Sequence, residues 1–386
     1  MITKKKKVLI CIDWFLPAYK AGGPIQSIAN LVNHTKDDFD YYIATSNADL
    51  YEPLDLPETS LNKWIPKTDY KIIYLNPAHQ TFSFYKKLFL VENFEVVYFN
   101  SLFSQKFTLL PLLVFRNNPI RKVLAPRGML GKGALDIKPR KKKLFLGLFK
   151  LLNFHKKVVW HATAESEANE VYLHFGKQCK VSLAPNLSAK TKENTVEKQK
   201  EVNGLNLFFL SRIAVKKNLL NALNYLAEIK PLYHINFSIV GPIDETEYWA
   251  NCQSKIEELP KHITVNYLGA IPHSEIANVL EAQQVLLLPT QHENFGHVIM
   301  ESWQNGCPVI ISDQTPWESL SSNHLGFAIS LAKPSEFIKA IEKFAGMEKE
   351  EFNAWSKEVL KFSKDFTENP KLIEQNKALF LGTFKN

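Results

Sequence analysis

Short, continuously apolar runs alternate with longer stretches of helical periodicity along this chain. In the first half the runs are Val8–Ile12, Tyr41–Thr45, Lys71–Leu75, Val96–Phe99, Lys122–Ala125 and Val158–Ala162. In the second half they are Leu205–Leu210, Ile235–Val240, Ile263–Tyr267, Val285–Leu288, Val309–Ser312 and Phe327–Ser330. Runs of this length without polar alternation read as strands buried on both faces, and strands alternating with helices form parallel sheets. The pattern predicts an α/β chain of two doubly wound, Rossmann-like domains with six strands in each half. Between the halves lie Pro185-Asn186 and the polar stretch 188–203, which has no apolar period and marks a boundary. The expected domains are thus 1–186 and 187–365. Doubly wound sheets bind ligands beyond the carboxyl ends of their strands, so two such domains facing one another would place a cleft there.

Composition agrees and adds one asymmetry. At 386 residues the chain exceeds the ~250–300 that a single core fills, and 45% hydrophobic with 12% aromatic residues excludes disorder as the main state. The net charge of +8 is an average: residues 1–185 carry 27 basic and 15 acidic side chains, whereas residues 186–386 carry 20 and 24. A basic first half points to an anionic or phosphate-bearing partner. Nucleic acid is not expected, because no RNA- or DNA-binding signature occurs and the second half is acidic. Cys11, Cys179, Cys252 and Cys307 are far apart and show no metal spacing, so they read as buried thiols in a reducing compartment. No apolar run approaches the ~20 residues of a membrane span, and Val8–Ile12 is too short for a signal-peptide core. A cytoplasmic location is expected.

The densest chemistry lies in 285–320. A buried strand ends at Pro289, a polar loop carries Glu293, and a helix is expected from Gly296 to Asn305, stopped by Gly306. Glycine at 296 permits close backbone approach, and the amides of His297 and Val298 in the first helical turn offer an anion site suited to a diphosphate. Taken singly, Glu293 reads as a dipole-favoured residue and Glu301 as a solvated one. Earlier, Ser211-Arg212-Ile213 follows the strand Leu205–Leu210, with Lys216 and Lys217 just beyond. Cations at a strand end can neutralise charge developing on a departing diphosphate.

Together these motifs resemble family 4 glycosyltransferases, retaining enzymes of the GT-B fold. The resemblance rests on Glu293 and Glu301 with seven residues between them, on Asn294-Phe295-Gly296, and on the following Gly306-Cys307-Pro308-Val309-Ile310. It implies that Glu301 binds the ribose hydroxyls of a nucleotide-sugar donor and that Glu293 sits beside the donor sugar. It also implies that the amides from Phe295 to Val298 hold sugar and phosphate. Residues 211–218 are similar to the family's G-R-x4-K-G, which places Arg212 and Lys217 on the diphosphate. Ser211 and Asn218 replace the usual glycines. Gly241-Pro242 and Gly269-Ala270-Ile271-Pro272 occupy loops where relatives position the base by backbone contacts, making Gly241 and Ile271 donor contacts by analogy. As plain turns they need no such role.

The first half carries weaker signals. Gly22-Gly23 enters a helix after the first strand, as in an ordinary turn or a phosphate-admitting loop, and it resembles the family's glycine-rich loop across the cleft from the donor. Asp13 at the first strand's end reads as an acceptor contact or a capping residue. Arg127, in Pro126-Arg127-Gly128, stands where many family members place a His; the resemblance is to transferases of polysaccharide and lipopolysaccharide synthesis, and it makes Arg127 an acceptor or phosphate contact. His161 reads as structural. Residues 138–157 hold eight Lys or Arg and no acid, interleaved with leucines and phenylalanines. Such a stretch suits an anionic membrane surface, and equally a half-buried helix beside a solvated basic loop. The one D-x-D, Asp38-Phe39-Asp40, lies away from the donor motifs, so no metal or other cofactor is expected.

The implied activity is transfer of a sugar from a nucleoside diphosphate sugar to a glycan or lipid-linked glycan acceptor, with retention, at the inner face of the cytoplasmic membrane. By the same resemblance the last residues, 366–386, form a helix returning to the first domain. A nucleotide-sugar epimerase of the same fold, or a non-catalytic membrane-surface protein, are the alternatives.

Overall fold

A computed structural model describes residues 5–136, 138–190 and 197–382. The middle of the expected linker, 191–196, lies outside them, as do the ends of the chain. The chain divides into two compact units: Met1–Leu187 with Pro370–Asn386, and Ser188–Asn369.

In the first unit the strands of the main sheet are β1 (Lys6–Cys11), β2 (Phe39–Ser46), β3 (Ile65–Pro66), β4 (Tyr70–Leu75), β5 (Val96–Asn100), β6 (Arg121–Ala125), β7 (Val159–Ala162) and β8 (Lys180–Leu183). They lie in the order β8-β7-β6-β5-β1-β2-β4-β3, all parallel except β3. Alternation along β1 shows why the run is apolar throughout: Val8 and Ile10 enter the core on one face of the sheet, Leu9 and Cys11 the core on the other. The main sheet has two strands more than the six expected, and Ala48–Asp49 with Glu52–Pro53 forms a separate two-stranded ribbon. β3 is a two-residue antiparallel edge and β8 is Lys-Val-Ser-Leu, and neither carries an apolar run long enough to register in sequence.

The second unit holds β9 (Gly204–Leu210), β10 (His234–Val240), β11 (Ile263–Gly269), β12 (Val285–Leu288), β13 (Val309–Ser312) and β14 (Gly326–Ile329), ordered β11-β10-β9-β12-β13-β14 and wholly parallel. Both sheets are doubly wound, as expected. Their strand order reverses between β1 and β5 in one unit and between β9 and β12 in the other, which places the ligand-binding crevice of each at the carboxyl ends of those strands.

The stretch read as a polar boundary is partly docked. Lys198 and Lys200 are buried on the second unit, where Lys198 Nζ donates to the carbonyl of Leu280 at 2.6 Å and Lys200 Nζ to that of Ala345 at 2.9 Å. Both carbonyls lie at helix C-termini, where a cation is favoured. Helix Pro370–Leu381 belongs to the first unit: Phe380 packs edge-on to Phe39 at 5.2 Å, and Asn376 donates to the carbonyl of Pro185 at 2.9 Å. Asp38 of the D-x-D pairs with Lys377 of that helix at 3.1 Å, and Phe39 already opens β2. All four cysteines are buried and free.

Candidate active site

The crevice of the second unit is built from the loops after β9 and β12. Asn218 Nδ2 donates to the carbonyl of Pro289 at 2.8 Å, and the amide of Gln291 donates to the carbonyl of Lys216 at 2.8 Å, so the two loops are stitched together. This brings Lys217 into an ion pair with Glu293, whose own amide is fixed by the carbonyl of Gln314 at 2.9 Å. Arg212, just past β9, pairs with Asp244. The side chains of Lys217 and Glu293 are 17% and 13% exposed and that of Arg212 is 40% exposed, so solvent and ligand can reach each pair. Burial raises the Asp244 carboxyl above its ordinary value, with Glu245 adding to the effect.

The two departures from the family pattern have a structural account. Asn218 sits at φ +64, ψ +36, a left-handed conformation that Asn tolerates better than other non-glycine residues. Ser211 faces a close crossing in which the glycine is on the other strand. A Cβ on Gly241 (φ +141) would lie 2.0 Å from the carbonyl oxygen of Ser211. Gly241 is thereby required by packing, whatever else its backbone contacts.

Gly296, at φ +76, caps helix His297–Gln304, and a Cβ there would come within 2.7 Å of Ile299 Cδ1. The helix starts one residue later than the sequence predicts and has no side-chain cap. The ring of Phe295 is buried against Trp317 at 5.3 Å, and its carbonyl accepts from Trp317 Nε1 at 2.6 Å. Val298 and Ile271 also pack on the core. For these three residues the backbone is the part that could meet a donor. Asn294 and His297 flank the same turn.

Glu301, fifth in the helix, accepts from His273 Nε2 at 3.0 Å. His273 opens helix His273–Glu281 immediately after Ile271-Pro272, and sequence reasoning missed it. Its only signal was adjacency to that loop. The hydrogen bond to Glu301 raises the imidazole above its usual value, against some opposing desolvation.

The first unit gathers Asp13, Gly22, Gly23 and Arg127 at its own switch point. Asp13 follows β1, where Ser104 Oγ donates to its carboxylate at 2.7 Å while burial raises it above the ordinary carboxylate range. Gly22 (φ +67) precedes helix Gly23–Thr35 and has nothing within 4 Å of a built Cβ. Arg127 and Gly128 are both left-handed, and the amide of Met129 donates to the carbonyl of Pro126 at 3.2 Å, as in a type I′ turn. That turn aims the guanidinium inward. Nε donates to Asn100 Oδ1 at 2.6 Å, Nη1 to Asn186 Oδ1 at 2.5 Å and Nη2 to the Tyr98 hydroxyl at 2.9 Å. Tyr98 in turn meets His161 Nδ1 at 2.8 Å, and His161 Nε2 meets the carbonyl of Ala184 at 2.7 Å. Burial, then the charge of Arg127, pushes His161 down to about 3, so the ring is neutral and structural. Arg127 thus ties β5 and β6 to Asn186 at the end of the unit, a role the sequence did not reveal. Among the described residues no group of three or more His, Cys, Asp and Glu is placed to hold a metal ion.

Two parallel doubly wound sheets, each with its crevice at the reversal point, are the GT-B architecture. Residues 190–361, nearly the whole of the second unit, match the family described as Glycosyl transferases group 1. Sucrose-phosphate synthase from Thermosynechococcus elongatus is similar along 98% of this chain and 99% of its own, at 14% identity and a TM-score of 0.75. HepE of Anabaena, solved with UDP and glucose, is similar along 98% of this chain and 100% of its own, at 14% identity and a TM-score of 0.71. WaaG, a glycosyltransferase involved in lipopolysaccharide biosynthesis, is similar along 98% and 100% at 12% identity and a TM-score of 0.66. No curated protein sequence matches the chain.

Proposed function

We propose that the protein is a retaining, metal-independent glycosyltransferase that moves a hexose-type sugar from a nucleoside diphosphate sugar to a glycan or lipid-linked glycan acceptor in cell-surface polysaccharide synthesis. The observation that carries this reading is the row of opposite-charge pairs at the second unit's crevice: Lys217 with Glu293, Arg212 with Asp244, and His273 with Glu301. Each can exchange its protein partner for a donor group. Arg212, Lys217 and the amides of the helix at His297 would take the diphosphate, Glu293 the sugar, and Glu301 the ribose, with Gly241 and Ile271 beside the base. HepE, solved with UDP and glucose, supports a UDP-sugar as the first donor to try. Retention follows if the acceptor hydroxyl attacks the anomeric carbon on the face the phosphate leaves. The C–O bond to the phosphate breaks as the new glycosidic bond forms, and the hydroxyl proton passes to a phosphate oxygen. Asp13, Gly22 and Gly23 of the first unit would line the acceptor side, with Arg127 holding the strand ends beside them.

Thermal unfolding with UDP-, GDP- and ADP-sugars tests the donor, because a ligand bound only to the folded state raises its stability. Transfer by purified protein tests the site. Unchanged transfer in both Glu301→Ala and Arg212→Ala would sink these assignments, and release of an isomerised nucleotide sugar without acceptor would mark an epimerase instead.

A further inference from the structure

Helix Pro139–Leu151 is apolar on two sides. On one, Phe149 is buried and Phe145 half-buried on the first unit's core, with Phe145 lying 5.2 Å from Phe103 and 5.8 Å from Phe149. That side accounts for the helix's place in the fold. On the other, Leu144, Leu148 and Leu151 recur at i, i+4 and i+7, a spacing that puts them on one face. They are 67%, 49% and 75% exposed. A helix that only covered a core would show polar residues there.

The charges around this stripe also work against the helix in isolation. Lys138, Arg140, Lys141, Lys143, Lys150, Lys156 and Lys157 are exposed, and 138–157 holds no acid. Arg140 and Lys141 stand in the first turn, at the positive end of the helix dipole and with no acidic residue to offset them. Lys142 alone is turned inward, donating to the carbonyl of Ala134 at 2.5 Å above the ring of Phe103. The pattern is unfavourable in water and becomes favourable against an external anionic surface. A second copy of this chain is a poor occupant, since two such faces would repel. Nucleic acid would leave the central leucines without a role.

We infer that the face formed by Leu144, Leu148, Leu151 and the surrounding lysines docks on an anionic lipid bilayer, with the leucines entering the acyl boundary and the ammonium groups at the phosphates. The inference goes beyond the transferase reading and does not depend on the donor site. Sedimentation of the intact protein with vesicles tests it. Binding to phosphatidylcholine vesicles containing phosphatidylglycerol is expected, with little to phosphatidylcholine alone and loss at high salt. The triple variant Leu144→Ser/Leu148→Ser/Leu151→Ser and the double variant Lys141→Glu/Lys143→Glu should each bind at least about tenfold more weakly. Their thermal unfolding should match wild type, and Leu232→Ser, an exposed leucine of the second unit, should bind normally. Equal binding to both vesicle types, undiminished binding of both multiple variants, preference for an oligonucleotide, or a dimer abolished by the serine substitutions would each overturn it.

Discussion

The two units hold their cations in opposite ways. In the second, Lys217, Arg212 and His273 each face a carboxylate in a setting still open to solvent. In the first, Arg127 faces three neutral acceptors and joins a chain of hydrogen bonds that ends on the buried, neutral His161. Each of these pairs is partly exposed, so a ligand group of matching charge can take the place of either partner. Arg127 is partly exposed too, but its partners are neutral and buried, so removing it strands each acceptor at ~1–3 kcal/mol. One arrangement is suited to binding and the other to holding strand ends in place, although both present a basic side chain at a strand's carboxyl end.

The sharpest way to break this contrast is to truncate one arginine in each unit. Arg212→Ala should lower kcat/KM for transfer by ~10²–10³, the usual loss when one preorganised charge-stabilising donor is removed, with the unfolding temperature nearly unchanged. Arg127→Ala should do the reverse: a loss of about 2 kcal/mol from stranded acceptors lowers the melting temperature of its unit by roughly 4–8 °C, read by calorimetry. If Arg127→Ala instead leaves stability intact and abolishes transfer, the first unit's arginine is a ligand group and the contrast fails. A smaller effect is expected for Gly296→Ala, at about 1–2 kcal/mol for the left-handed backbone, accompanied by weaker donor binding in a thermal-shift titration.

The pH effects differ in sign between the units. His161 is depressed to about 3 by burial, so its stability contribution is present above the unfolded value near ~6.5 and is lost as pH falls toward 3. His273 is raised by Glu301, so its contribution is present below ~6.5 and is lost as pH rises through the raised value. Unfolding temperature followed against pH should therefore flatten on the acid side in His161→Gln and on the neutral side in His273→Gln.

Most strands were legible in sequence to within one or two residues, because burial on both faces of a parallel sheet leaves few polar positions in the run. The edge strands β3 and β8 were not, since an edge of two or four residues needs no such run. Gly296 and Gly241 were visible as glycines, but only the crossing with Ser211 explains why position 241 excludes a side chain. The linker looked merely polar, and its buried Lys198 and Lys200 could not be told from solvated lysines before the helix ends they cap were in place.

Sequence by itself determined the doubly wound class, the division into a basic and an acidic half, and the chemistry-bearing segment around Glu293 and Glu301, because hydrophobic period and motif spacing are local properties of the chain. Partnership was decided by tertiary structure alone. Lys217 meets Glu293 from 76 residues away and His273 meets Glu301 from 28. Arg127 is drawn into a network with Tyr98, Asn100 and Asn186, and the leucines at 144, 148 and 151 are left facing solvent. Those outcomes depend on which strand ends and helix faces the packed sheets bring together, and no local pattern carries that information.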